Sequence, residues 1–356
     1  MTDSEQIRWI TDSVEAALLA LDIGTAGDET DDGHRAWKSL VHNGMTLVGV
    51  PEEAGGSGGG WAEAAAVLAE SARHGVSLPI LETAWLAAHA AVSAGLSVPA
   101  GRATIAIVAP DMVEDGGPEA IPVLAGTIAR VPFLPDADEV FVLAPVRDAT
   151  YVARLTIGSL KVRPGATVAA EPRGDLVLGG PLHTAEQGWA DIDLIGRLHD
   201  RLLAGRVVQG AAVARTVQGM TLEHTETRVQ FGRPLIRLQA VQHRLARLAA
   251  NAEVLQVCSR VAVAALDKDV DDQARRRAIT SAALASFDAV GAVVEQAQQL
   301  HGAMGFTREH ALARSTLRML GWRQELGGAR CRGTELAHDL LDSDLPVWDR
   351  LAPLGA

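Results

Sequence analysis

The hydrophobic period of this chain changes twice, and no other feature limits its fold as strongly. Up to about residue 98, apolar side chains recur every three to four positions, the spacing of amphipathic helices. From about 100 to 182 they fall in short β-branched runs separated by Pro, Gly and Asp clusters, at roughly ten-residue intervals. Beyond about 190 the helical spacing returns. At 356 residues the chain exceeds what one hydrophobic core usually serves. The expectation is an α+β, mostly α protein: an N-terminal helical domain over 1–98, a small middle β-barrel domain over 99–182, and a C-terminal four-helix bundle over 183–356.

Within the first segment, Trp9, Val14, Leu18 and Leu21 share one expected helical stripe, and Ala62–His74 supplies another. Between them, the apolar run from Met45 stops at Pro51 and dissolves into the glycines of 55–59, which predicts a loop. Expected strands are Thr104–Ala109, Ile121–Leu124, Gly126–Val131, Glu139–Ala144 and Tyr151–Thr156. In the last segment Leu238, Val241, Leu245, Leu248, Ala252 and Leu255 form a bundle stripe, with Arg237, Arg244 and Arg247 off it. Further long helices are expected over 196–226, 273–300 and 308–340.

Composition narrows the function classes. The net charge of −12 argues against a nucleic-acid-binding face, although a local basic pocket for a phosphate-bearing cofactor stays open. Aromatic residues make up 4%, so the cores must be built from Ala, Val and Leu, which lets helices approach closely. Cys258 and Cys331 lack CxxC spacing and ligand-spaced histidines, so they are expected to be small buried thiols, and no metal site is expected. The N-terminus carries no basic-then-apolar leader, and no run of about 18 apolar residues occurs. The expected protein is soluble and cytoplasmic, with no membrane segment.

Two short segments carry chemistry. Arg228-Val-Gln-Phe-Gly-Arg-Pro-Leu interrupts helical sequence with Gly232 and Pro234; a guanidinium fork beside a glycine turn suits a pyrophosphate. Gln299-Leu-His-Gly-Ala-Met-Gly-Phe-Thr-Arg-Glu-His310 breaks a helix at Gly302 and Gly305, where backbone can approach a ligand closely. Arg308 and Glu309 could begin the next helix. Taken singly, the first is equally an ordinary helix–helix corner and the second a helix C-cap and turn.

Together, about 70 residues apart, Arg-x-Gln-Phe-Gly-x-Pro and Gln-x-x-Gly-x-x-Gly-Phe resemble the paired cofactor motifs of acyl-CoA dehydrogenases. The loop Gly49-Val-Pro-Glu-Glu-Ala-Gly-Gly and the lead-in Thr221-Leu-Glu-His-Thr-Glu-Thr are similar to that family too. The resemblance implies FAD shared across a subunit interface, an acyl-CoA substrate and an electron-transfer flavoprotein as electron acceptor. Carried over, Arg228, Gln230, Phe231, Leu235 and Gln239 are expected FAD contacts, and Gln299, Gly302 and Gly305 form a loop over the same cofactor. Ala303 stands where the family's loop has a second glycine.

Other family features are missing. The family's catalytic Glu lies about twenty residues beyond the glycine loop or about 26 before the arginine; here those counts reach Leu326 and Leu202, with Glu325 and Asp200 nearby. One residue is about 100° on a helix, so Glu325 serves as base only if the register slips by one. The family's Thr-Glu-Pro-x-x-Gly-Ser-Asp-like segment is replaced by Val108-Ala-Pro-Asp-Met-Val-Glu-Asp-Gly-Gly, and 101–182 holds no Trp. What a subunit lends to a neighbour's FAD is kept, while what serves its own flavin and substrate is eroded.

That division implies the non-catalytic subunit of a heterotetramer, resembling the α2β2 enzymes of actinobacterial sterol side-chain breakdown. Two alternatives stand beside it: a self-sufficient homomer using Glu325, and a flavin-free scaffold subunit. His183, His199, His224 and His243 are expected to be solvated or packed, Arg275–Arg277 to be an exposed helix start, and the acidic residues 28–32 to be a solvated loop.

Overall fold

The computed structural model describes residues 3–21, 29–114, 121–182, 184, 186–267, 270–307, 310–341 and 346. Two compact units emerge, one of Met1–Ser71 with Val76–Leu202 and one of Ala72–Gly75 with Leu203–Ala356. The expectations for His183, Arg308, Glu309 and Asp28 lie outside the described residues.

In the first unit, α1 (Asp3–Leu19) buries Ile10, Val14 and Leu18, spaced by four. Trp9, expected on this stripe, is 58% exposed, because one residue of rotation carries it off the buried face. Helix α2 (Glu29–His42) follows, then the glycine loop, pinned by Gly49 N–H donating to Gly58 C=O (2.8 Å) and Gly58 N–H to Val50 C=O (2.9 Å). A Cβ on Gly56 would fall 2.2 Å from the Val50 carbonyl oxygen, so glycine is required there. Helix α3 (Trp61–Arg73) precedes a fully buried π-helical stretch, Leu81–Ala87, that runs directly into α4 (Ala88–Ser93).

The β region consists of two four-stranded sheets. One has the order β1 (Ala103–Ile107), β4 (Glu139–Val146), β5 (Ala149–Thr156), β8 (Gln187–Asp191), with β1 and β4 parallel. The other runs β2 (Val113–Glu114), β3 (Val123–Pro132), β7 (Pro172–Pro181), β6 (Lys161–Ala166), all antiparallel. The two runs expected at 121–131 are a single strand, β3, kinked where the pairing to β7 shifts between Ile128 and Val131 and Arg130 takes φ +59°. Strands β6, β7 and β8 were not expected; β6 and β7 carry Gly and Pro at positions that disguise alternation, and β8 lies beyond residue 182.

Strand β4 explains why helices and sheet share one unit. Val140, Val142 and Ala144 enter the core with Leu124, Leu176 and Leu178, while Phe141 and Leu143 point the other way onto Leu86, Ala90, Leu194 and Leu198. A strand buried on both faces reads as a continuous apolar run.

The second unit is helical. The boundary falls inside α5 (Leu194–Thr227). Then come the hairpin strands β9 (Val229–Gln230) and β10 (Arg233–Pro234), α6 (Gln239–Ala264), α7 (Asp272–His301), α8 (Ala311–Glu325) and α9 (Gly328–Leu341). The single helix expected over 308–340 is two, broken where Gly327 and Gly328 take φ +87° and +75°. On α6 the expected stripe is buried at Leu248, Ala252 and Leu255 and continues through Cys258 and Ala262, while Leu238, Val241 and Leu245 are only half-buried.

Helix α7 starts on an Asp271 cap, whose carboxylate accepts from the N–H groups of Gln273 and Ala274. The stretch Asp272–Phe306 is long and apolar enough to cross a membrane, yet 56% of its most apolar window is buried against protein, as in a core helix. Arg277, expected to be exposed, is buried and paired with Asp339 at 2.6 Å. Cys331, expected to be buried, is exposed; burial raises the Cys258 thiol above its ordinary range.

Candidate functional site

Helix α5 ends in a tight hairpin. Gln230 pairs with Arg233, leaving Phe231 and Gly232 as the two turn residues, with φ +54° and +74°. Positive φ at both central positions is the signature of a type I′ turn, which suits strand twist and favours Asn-Gly or Gly-Gly. A phenylalanine in that conformation is strained by about 1–2 kcal/mol, and its ring stands 86% exposed at the tip. The hairpin is closed at its base by Leu235 N–H donating to Arg228 C=O at 2.9 Å.

Arg228, Gln230 and Gln239 are exposed and Leu235 is half-buried. Among the described residues the Arg228 guanidinium makes no hydrogen bond or ion pair. An open guanidinium beside a rigid turn is what an anionic dinucleotide tail requires.

At the other segment, α7 stops at Gly302, whose φ of +62° and ψ of −143° suit glycine. The chain then makes a 3₁₀ turn, Gly302–Phe306. Gly305 is buried; a Cβ there would lie 3.0 Å from His301 Cβ and 3.3 Å from Leu312 Cδ2. Gln299, Met304 and Phe306 are exposed. Ala303 is exposed and holds no positive φ, so its methyl group is accommodated without strain.

The two segments meet through histidines. His224, one turn before Arg228, stacks on His301 at 4.3 Å between ring centroids and 20° between planes. His310, capping α8 by accepting from Leu312 N–H, meets His301 edge-on at 5.4 Å. His301 Nδ1 lies 3.0 Å from the Ala297 carbonyl oxygen, which fixes that nitrogen as the donor. Burial lowers the pKa of both His224 and His301, and neighbouring charge (His310 for both, with Arg228 at His224) acts in the same direction, against the raising effect of the Ala297 carbonyl at His301. His224 is packed, as expected. The sequence reading passed over His301 and His310, although His301 sits between Gln299 and Gly302 and only its lack of a spaced partner hid it.

The positions expected to supply a base are occupied differently. Leu326 is 2% exposed, and Leu202 packs against the Phe141–Leu198 cluster. Glu325, at the end of α8, accepts a hydrogen bond from Arg206 Nε of α5 at 2.7 Å. The arginine side chain is 2% exposed and the carboxylate side chain 14%. Arg206 also donates to Gln209 Oε1 at 2.7 Å. Asp200 is buried. In the β region, Pro110–Met112 form a 3₁₀ turn and Val113–Glu114 the short β2, and 115–117 lie outside the described residues.

Comparison with known proteins agrees with this architecture. Residues 10–97 match the family described as Acyl-CoA dehydrogenase, N-terminal domain, and residues 197–328 match Acyl-CoA dehydrogenase, C-terminal domain. The chain is 31% identical to acyl-CoA dehydrogenase IpdE2 of Mycolicibacterium smegmatis, over 83% of this chain and 84% of that protein. It is 30% identical to IpdE2 of Mycobacterium tuberculosis, over 87% and 89%. Among solved structures, the ChsE4–ChsE5 complex of Mycobacterium tuberculosis superposes with a TM-score of 0.85 at 24% identity, covering 97% of this chain and 99% of that one. A steroid ACAD variant, Tcur3481–Tcur3483, gives 0.80 at 24% identity, covering 96% and 99%. With both terminal family domains matched and a relative 31% identical along most of its length, the chain belongs to the acyl-CoA dehydrogenase family, whose members generally bind FAD.

Proposed function

We propose that this chain is the non-catalytic subunit of a heteromeric, FAD-dependent acyl-CoA dehydrogenase, lending dinucleotide contacts to a site completed by a second subunit of the same family. The observation that carries this reading is the engagement of Glu325, the acid next to the counted position Leu326, by a buried arginine. A carboxylate bonded to a guanidinium inside protein is a poor proton acceptor, because the neighbouring positive charge favours its ionised form.

The residues toward the cofactor fit the opposite role. Arg228 offers a fork, unengaged among the described residues, for phosphate oxygens. Phe231 presents a rigid apolar face at the hairpin tip, and Gln230, Leu235 and Gln239 flank it. Gln299 and the backbone opened by Gly302 and Gly305 form the second arm. FAD, when bound, supplies the acceptor for the β-hydride while a carboxylate elsewhere takes the α-proton of the thioester. In this reading the flavin ring and that carboxylate belong to the partner, and electrons leave to an electron-transfer flavoprotein. A bulky steroid side-chain CoA thioester is the favoured substrate class, consistent with the steroid ACAD among the structural relatives.

Expression of this chain alone and with a second acyl-CoA dehydrogenase subunit tests the assignment. The pair should be yellow and oxidise an acyl-CoA thioester, and the lone chain should be colourless and inactive. Arg228→Ala in the pair should weaken FAD binding about ten- to a hundredfold, the worth of a charge-assisted hydrogen bond. A lone chain that is yellow and active overturns the assignment.

A further inference from the structure

The two cofactor segments are carried by different helices, and the described structure joins them through one ring pair. His224 on α5 stands one turn before Arg228, and His301 on α7 stands one residue before Gly302. The rings stack at 4.3 Å. His301 is held by its own helix and by a second ring: its Nδ1 donates to Ala297, it meets His310 edge-on at 5.4 Å, and a Cβ on Gly305 would lie 3.0 Å from His301 Cβ. With only 6% of its surface exposed, His301 is not itself available to a ligand.

We propose that His301 is a positioning residue, and that its stack on His224 sets the spacing between the Arg228 hairpin and the Gln299–Gly305 loop at which a dinucleotide can bridge both. The proposal rests on the cofactor-lending reading above and extends it to residues that touch no cofactor. The stack acts as a ring contact and not as a proton donor toward FAD, since the one defined donor of His301 is consumed by its own helix. An aromatic pair of this kind contributes about 1 kcal/mol, about a fivefold change in an equilibrium constant.

The test is FAD affinity of the assembled pair of subunits, measured by titrating FAD into the apo complex and following flavin fluorescence. His301→Ala and His224→Ala should each weaken binding about fivefold, and the double alanine variant no more than either alone, because both remove the same contact. The double variant His224→Phe with His301→Phe keeps two stackable rings without ionisable nitrogens and should restore most of the affinity. Wild-type affinity in His301→Ala, additive losses in the double alanine variant, or failure of the phenylalanine pair to rescue would each overturn the positioning role. A wild-type complex that takes up no FAD would instead overturn the cofactor-lending reading itself, and the positioning role with it.

Discussion

His89 shows how a single side chain can tie stability to pH. Its ring stacks on Trp61 at 5.0 Å, and Arg201 lies over the same indole at 5.1 Å. Burial, with the Arg201 charge adding to it, pushes its pKa down to about 3, against the raising effect of a hydrogen bond to the Gly49 backbone. Between that value and the unfolded value of 6.5, the unfolded chain binds a proton that the folded one refuses. Stability from this group is therefore full above pH 6.5 and is lost as pH falls toward 3, by up to about 1.4 kcal/mol per pH unit. Urea midpoints from pH 8 to 5 should fall in the wild type and fall less in His89→Phe. Glu325 is the second case: removing its carboxylate breaks a pair in which the Arg206 side chain is 2% exposed, so Glu325→Ala should destabilise the fold by about 3–5 kcal/mol. If Glu325→Ala unfolds in urea at the wild-type midpoint, the ion pair contributes nothing and the case against Glu325 as a base weakens.

At the scale of elements, the hairpin and the glycine loop place opposite demands on sequence. Phe231 occupies a turn position for which Asn is far better suited. Phe231→Asn should raise the stability of the chain by about 0.5–1 kcal/mol by relieving left-handed strain. If the ring serves the cofactor, the same variant should bind FAD more weakly in the assembled pair. Increased stability with unchanged FAD affinity would show that the ring plays no part. Gly305→Ala should cost about 1–3 kcal/mol, the range for overpacking, because its new methyl group meets His301 and Leu312. The breaks at Gly232 and Gly302 were legible from sequence because glycine turns announce themselves. The His224–His301 stack was not, since residues 77 positions apart share no periodicity and only the crossing of α5 and α7 brings them together.

For the whole molecule, the proposed role makes cofactor linkage a property of the assembly. FAD supplied at a hundredfold excess over its dissociation constant should stabilise the two-subunit complex by about 2.7 kcal/mol. The same addition should leave the isolated chain's melting midpoint unchanged, as read by a thermal scan of each. A shift in the lone chain would mean that it holds the flavin by itself.

Sequence alone determined the order of helical, β and helical segments, the family resemblance and the two glycine-marked segments, because each is written in local periodicity or backbone permissiveness. It also put leucine at both counted positions, Leu326 and Leu202, which can be read without a structure. Only the tertiary structure decided that β4 is buried on both faces, that Arg277 is inside, that α8 and α9 part at Gly327–Gly328, and that Glu325 is held by Arg206. Those outcomes depend on which surfaces meet, and the free energy of burying or pairing a group is set by neighbours distant in the chain.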